Sequence, residues 1–127
     1  MAELTGKIHS SAVTPLSGTT AVALWVASLN RKAKLRKILI YNADTADAVV
    51  EIGEADYSPS TGAATWSSQK LPAIPVASGA MVTLGPNDIP EDSVYTSDAS
   101  SPKCWAARLQ AAVTANPVQI KIEVEEA

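Results

Sequence analysis

The C-terminal segment, PVQIKIEVEEA, alternates apolar and polar side chains almost without interruption. Because successive side chains of a β-strand point to opposite faces, this period of two predicts a strand with one buried face. The inward residues are Val118, Ile120, Ile122 and Val124. The outward residues are Gln119, Lys121, Glu123 and Glu125. A single strand is not stable alone, so the chain must build a sheet around this segment.

Several further apolar segments, separated by turn-forming residues, indicate more strands. The segment TTAVALWVASL alternates, with Val22, Leu24 and Val26 on one face; Ala21, Ala23, Trp25 and Ala27 are on the other. AKLRKILIYN and AVVEIGE follow it, and LPAIPVASGAMVTLGP reads as two short strands broken at Ser78 and Gly79. Pro72 and Pro75 confine the first of these two to a sheet edge. Residues 55–70 and 86–102 are predicted loops, because they are rich in turn formers.

KCWAARLQAAVTA, residues 103–115, fits two structures. As a strand it places Trp105, Ala107, Leu109, Ala111 and Val113 on one face, and as a helix it stacks Trp105, Leu109 and Ala112. Its alanines favour a helix. The short link TANP before the final strand favours a strand, because closely joined strands pair as a hairpin. We therefore predict a strand here.

These segments predict an all-β protein, an antiparallel two-sheet β-sandwich of jelly-roll type with seven or eight strands. The length of 127 residues suits one domain. Residues 1–18 have few large apolar side chains, so we expect an extended N-terminal arm or an irregular first strand there. Residues 19–127 would form the sandwich domain.

Catalytic and metal-binding patterns are absent from the sequence. One His, His9, and one Cys, Cys104, can form neither a triad of fixed geometry nor a closed zinc site. The acidic groups Asp44, Asp47 and Glu51, and Asp88, Glu91 and Asp92, lack the spacing of a calcium loop. Asn42, Asp44 and Asp47 instead have the chemistry of a turn, here predicted to close a hairpin. We expect no enzymatic activity and no metal or other cofactor.

The distribution of charge and cysteine limits location and partners. One cysteine allows no internal disulfide, and no stretch has the length of a signal peptide core or a membrane span, so we expect synthesis in the cytoplasm without secretion or membrane insertion. The formal net charge is −3, while residues 31–37 hold half of the Lys and Arg. This cluster has no aromatic residues to stack bases, so nucleic acid is not an expected partner. We expect it to be either a solvated strand entrance or a face that pairs with an acidic neighbour.

The order of the segments resembles one family of proteins. IYNADTADAVVEIGE, LPAIPVASGAMVTLG, IPEDSVYTSDASSPKCWAARLQAAV and QIKIEVEEA, within residues 35–126, are similar to the small β-sandwich proteins of tailed-phage and related virus particles. Known members are head decoration, spike-base or tail-associated proteins without cofactors or catalytic residues. The resemblance implies a virion protein that decorates or cements a capsid, as trimers of identical subunits bound to a major capsid protein lattice and without a small-molecule substrate.

Five residues are predicted to contact such partners. Trp25 lies in a strand with two apolar faces, and Trp66 is an isolated loop tryptophan. The cations at the start of the basic cluster suit the rim of an interface. The five residues are Trp25, Arg31, Lys32, Lys34 and Trp66. One alternative is a carbohydrate-binding or adhesion module that uses Trp66 and Tyr57 as an aromatic platform. Another is a small enzyme or inhibitor, which would need a concave polar site.

Overall fold

The computed structural model describes residues 7–26, 30–90, 93–97 and 100–127, in which all regular structure is β. The strands are β1 (Lys7–Ser10), β2 (Thr14–Leu16), β3 (Val22–Val26), β4 (Arg31–Asn42), β5 (Ala48–Tyr57), β6 (Ala64–Gln69), β7 (Ile74–Val76), β8 (Met81–Leu84), β9 (Val94–Ser97), β10 (Lys103–Leu109) and β11 (Val118–Glu126). The described ranges include no helix that could cross a membrane. Ala27, Glu91 and Asp92 lie outside them.

The strands form two antiparallel sheets that pack against each other. The six-stranded sheet has the order β1-β11-β4-β8, with β2 also beside β11 and β9 also beside β4. The five-stranded sheet has the order β3-β10-β5-β6, with β7 also beside β5. The predicted all-β, two-sheet sandwich is therefore confirmed, and its edge strand at residues 74–76 is present.

β11 is at the centre of the six-stranded sheet and carries much of its core. It pairs with β4 on one side and with β1 and β2 on the other. The predicted inward residues Val118, Ile120, Ile122 and Val124 are all at most 1% exposed. Across the core they face residues of the five-stranded sheet, whose large buried side chains include Val50, Ile52, Val76, Trp105 and Leu109. The period-two prediction for this segment is confirmed.

Residues 7–16, expected to be an extended arm or an irregular first strand, are two short strands along β11. Leu16 lies opposite Val118 and is only 1% exposed, so this segment contributes to the core. Between the strands, the Ser11 N–H donates to the Ile122 carbonyl at 2.8 Å, and the Ile122 N–H donates to the Ser11 Oγ at 2.9 Å. The segment is thus bound to its own domain, and residues 1–6 lie outside the described ranges.

A β-bulge in β3 changes which residues face the core. Trp25 is opposite Trp105, but the next pair is Ala23 with Ala106, so Leu24 is an extra residue in β3. The extra residue reverses the alternation. Trp25 therefore packs against the core, while Val26 faces out and is 39% exposed. The prediction that Trp25 shares an outer face with Ala21 and Ala23 was wrong for this reason.

The two hairpins predicted at residues 42–47 and at the link TANP, residues 114–117, were also wrong. β4 and β5 belong to different sheets, as do β10 and β11, so each connection leads from one sheet to the other instead of joining paired strands. β4 already has β11 on one side and β8 and β9 on the other, which leaves no free edge for β5. The strand predicted within residues 103–115 is present, but it ends at Leu109.

Two predicted loops contain strands. Residues 55–70 include the end of β5 and all of β6, so Trp66 lies on an edge strand and not in a loop. Residues 86–102 include β9, in which Tyr95 faces the core beside Trp105. Gly53 permits the β5–β6 pairing, because a Cβ there would overlap the backbone carbonyl oxygen of Ser68. These additional strands raise the count above the expected seven or eight.

Candidate functional site

The outer face of the six-stranded sheet carries an apolar groove of about 200 Å³, hereafter called the groove. Its lining residues are Val13, Leu39, Tyr41, Met81, Gln119, Ile120 and Lys121. Val13 is 59% exposed, Tyr41 40% and Met81 61%. Exposed apolar side chains are common singly on protein surfaces, but a contiguous group of large ones is characteristic of an interaction site.

Strand register explains how the groove forms. On β4 and β11, residues alternate between the core and the outer face, so Tyr41 comes opposite Gln119. Leu39 comes opposite Lys121 on the same outer face. β8 then places Met81 opposite Tyr41 from the other side. Val13, in the link between β1 and β2, covers the remaining flank. The groove therefore rests on paired strands, which fix its shape.

Lysine side chains border the groove. An adjoining hollow of about 100 Å³ is lined by Lys37, Leu39, Lys121, Ile122 and Glu123, so Leu39 and Lys121 line both. Within the described ranges, neither Lys37 nor Lys121 has an ion-pair partner. Arg36 does have one, since its Nη1 is 3.4 Å from Glu125 Oε1. Both lysines are thus available to a partner that occupies the groove.

The predicted cations Arg31, Lys32 and Lys34 lie on β4, in the part that pairs with β9. Arg31 and Lys32 are exposed. Lys34 is only 7% exposed and lies opposite Glu125 in register, so it is part of the sheet and not a free rim charge. The basic cluster therefore divides into exposed and buried members, a division that the sequence alone does not show.

Trp25 is held within the chain's own fold. Its Nε1 donates to Glu126 Oε2 at 2.9 Å, and its ring stacks on His9 with centroids 5.1 Å apart. His9 comes from β1 and Trp25 from β3, so these contacts join the two sheets at one edge. The single histidine thus has a packing contact, and Trp25 offers little surface to a partner.

Trp66 lies on the outer face of the five-stranded sheet, whereas Lys37 and Lys121 belong to the six-stranded sheet. The Arg108 guanidinium is 4.1 Å from the centroid of its ring, and Arg108 Nε donates to Glu51 Oε1 at 2.7 Å. Gln110 Nε2 also donates to Glu51 Oε2, at 3.1 Å. Hydrogen bonds from Arg108 and then Gln110 lower the pKa of Glu51. Because Arg108 covers one face of the indole, Trp66 offers at most one face for stacking.

Cys104 is fully buried among small residues of this second outer face, beside Ala55 and Ala106. Burial, with a smaller contribution from the negative charge of Asp56, raises the pKa of its thiol to about 12. The thiolate is the reactive form, so this cysteine is unreactive near neutral pH.

We expect iodoacetamide to leave Cys104 unmodified in the native protein near neutral pH, because the thiol is both protonated and enclosed. The same reagent should alkylate the chain fully in denaturant. Intact-mass spectrometry of both samples measures this. Equal rates of modification in the two samples would contradict the burial of Cys104.

Metal binding has no support in the described ranges, where no group of three or more His, Cys, Asp or Glu side chains is placed to hold an ion. In the five-stranded sheet, the acidic side chains form ion pairs with basic ones. Lys103 Nζ is 2.8 Å from Asp56 Oδ1 and 3.4 Å from Glu54 Oε1. The hydrogen bond to Asp56 is the main cause of the raised pKa of Lys103.

The polar residues 42–47 join three connections that cross between the sheets. Asn42 Nδ2 donates to the carbonyls of Ala46 and Val76, both at 2.9 Å, and its Oδ1 accepts from the Asp44 N–H at 2.9 Å. The Asp44 carboxylate accepts the N–H groups of Thr114, Ala115 and Asn116 at 2.7–3.1 Å. These residues are structural, in agreement with the turn chemistry predicted for them.

Asp44 makes the stability of the folded protein depend on pH. Its pKa is lowered to about 2 from the ordinary 3.8, chiefly by the Thr114 N–H and further by those of Ala115 and Asn116, while burial opposes them. A carboxyl with a depressed folded-state pKa stabilises the protein above its unfolded pKa and loses this contribution as the pH falls through its folded pKa. The loss therefore falls between about pH 4 and about pH 2.

We expect Asp44→Asn to lower the melting temperature near neutral pH and to flatten its decline between about pH 4 and about pH 2. Melting curves followed by circular dichroism across this range measure both effects. Asp88→Asn, which changes an exposed turn carboxylate bonded to a single backbone N–H, is the matched control. A pH profile of Asp44→Asn parallel to that of the unaltered chain would contradict the assignment.

No known protein family matches this chain, and no curated protein is significantly similar to it.

The groove was not predicted from the sequence. Leu39, Tyr41 and Met81 were assigned only to strands, and Val13 to a polar N-terminal segment. One local signal exists, since Tyr41 and Leu39 alternate with the buried Ile38 and Ile40 and must therefore lie on the outer face. Their convergence with Val13 and Met81 depends on pairings between distant strands, which no local pattern contains.

Proposed function

We propose that this protein is a non-enzymatic structural component of a virus particle, which decorates or cements a capsid through protein–protein contacts. The observation that carries the proposal is the groove, in which Val13, Tyr41 and Met81 expose large apolar surfaces on a sheet. Exposure of such apolar surface to water is unfavourable, and a partner that covers it is therefore stabilised on the sheet. A rigid apolar surface fits a protein partner better than a small polar substrate.

The resemblance to the small β-sandwich proteins of tailed-phage particles gives the proposal its particular form. The described strands form a two-sheet sandwich, which is the architecture that the resemblance implies. In this proposal the protein is part of the virion, is made in the host cytoplasm, and associates as trimers of identical subunits on a major capsid protein lattice. It needs no cofactor, nucleic acid or membrane for this role.

Mass spectrometry of purified virus particles from a culture that expresses this chain tests the proposal. We expect the chain to copurify with the capsid in a fixed ratio and to appear as density on its surface in cryo-electron microscopy. Light scattering of the isolated chain tests the trimer. Absence of the chain from particles that are otherwise complete would refute the proposed function.

A further inference from the structure

The six-stranded sheet has a charge opposite to that of the whole chain. β1, β4 and β11 carry seven Lys and Arg against three Glu, a net charge of +4, whereas the formal net charge of the chain is −3. The remaining residues are therefore strongly acidic. The groove lies on this basic sheet: Lys121 lines it and Lys37 lines the adjoining hollow. Neither lysine has an ion-pair partner in the described ranges.

This charge distribution discriminates among the molecules that could cover the groove. Two copies of the chain meeting symmetrically through this face would bring like charges together, which is unfavourable. Nucleic acid is also disfavoured, because Tyr41 is the one aromatic residue that lines the groove and bases find no second ring on which to stack. An acidic protein surface satisfies both the charge and the apolar lining.

We propose that the groove binds an acidic surface of a different protein, which inserts an apolar side chain between Val13, Tyr41 and Met81 and places carboxylates against Lys37 and Lys121. The proposal rests on the proposed function, since it makes the acidic surface part of the capsid lattice. Apolar contact supplies the affinity in this arrangement. The lysines orient the partner and make association dependent on salt.

Two synthetic peptides test the chemistry of the groove directly. They have the same length and apolar content, and one alternates Leu with Glu while the other alternates Leu with Lys. In heteronuclear NMR titrations of the full chain, we expect the acidic peptide to shift the amides of Val13, Leu39, Tyr41 and Met81. The basic peptide and a single-stranded DNA oligonucleotide should leave them in place.

Three variants sharpen this test. Lys37→Glu with Lys121→Glu should weaken binding of the acidic peptide by at least about tenfold and allow the basic peptide to bind. Met81→Ser should weaken binding of the acidic peptide by removing apolar contact. Lys7→Glu changes an exposed lysine of the same sheet outside the groove and is the matched control. Circular dichroism confirms that each variant is folded.

The outcomes separate this proposal from the proposed function. Equal binding of both peptides, shifts confined to other surfaces, or equal binding of DNA at the groove would overturn the acidic-partner proposal. In cosedimentation with virus particles, weakened binding of the Lys37→Glu, Lys121→Glu double variant supports it. If that variant sediments like the unaltered chain, the function stands and the groove is not the docking surface. If the unaltered chain does not sediment, the function fails, and the peptides still decide what the groove binds.

Discussion

Replacing Ile122 with Ala is expected to lower the free energy of unfolding by about 2 to 5 kcal/mol, whereas Lys121→Ala should lower it by less than about 0.5 kcal/mol. Ile122 is 1% exposed at the centre of the six-stranded sheet, so truncation leaves a cavity that the surrounding strands cannot close. Lys121, one residue earlier, is on the outer face and loses no core contact. Urea denaturation of both variants measures the difference.

The comparison of neighbours makes this a test of register as well as of burial. A shift of β11 by one residue would exchange the two faces, and the large effect would then move from Ile122 to Lys121. Similar losses for the two variants would mean that β11 is not a half-buried strand. The partner-binding role proposed for Lys121 does not affect the measured stability, because the measurement uses the isolated chain.

The second large effect is expected for Asn42→Ala, which should lower the free energy of unfolding by at least about 2 kcal/mol. The Asn42 side chain is fully buried and bonds the Val76 carbonyl and the Asp44 N–H. Each buried backbone group left without a partner costs about 1 to 3 kcal/mol. Because these groups belong to separate connections, the variant loosens the whole end of the sandwich.

Asn87→Ala is the matched control for this prediction, since Asn87 is an exposed turn residue whose side chain makes no hydrogen bond in the described ranges. It should change stability by less than about 0.5 kcal/mol. Asn42→Asp keeps the shape of the side chain but cannot donate to the Val76 carbonyl, so it should also destabilise. A neutral Asn42→Ala would show that residues 42–47 form an ordinary exposed turn.

Local patterns in the sequence predicted strands well where one face is buried and the other exposed. β11 is the clearest case, because its alternation has no interruption and its inward residues are all in the core. β3 shows the limit of the method. A single extra residue at Leu24 reverses the alternation, and the bulge follows from pairing with β10, which the segment itself does not encode.

Connections were predicted less well than strands, for a related reason. A short polar link between two strands favours a hairpin when considered alone, as at residues 42–47. Whether the strands pair depends on whether their edges are free, and β4 has both edges occupied by strands from distant parts of the sequence. The same non-local pairing creates the groove. The sequence therefore predicted Trp25 and Trp66 as partner contacts and did not point to Tyr41 and Met81.

The central position of β11 also determines when the protein can fold. This strand follows the other described strands in sequence, yet it separates β1 and β2 from β4. Until it has been synthesised, β1 and β2 lack a partner and one edge of β4 stays unpaired. Contacts between residues so distant in sequence form slowly, because a long loop must close first. The six-stranded sheet therefore assembles after translation of β11, and a chain interrupted before residue 118 exposes an unpaired edge of β4 that favours aggregation.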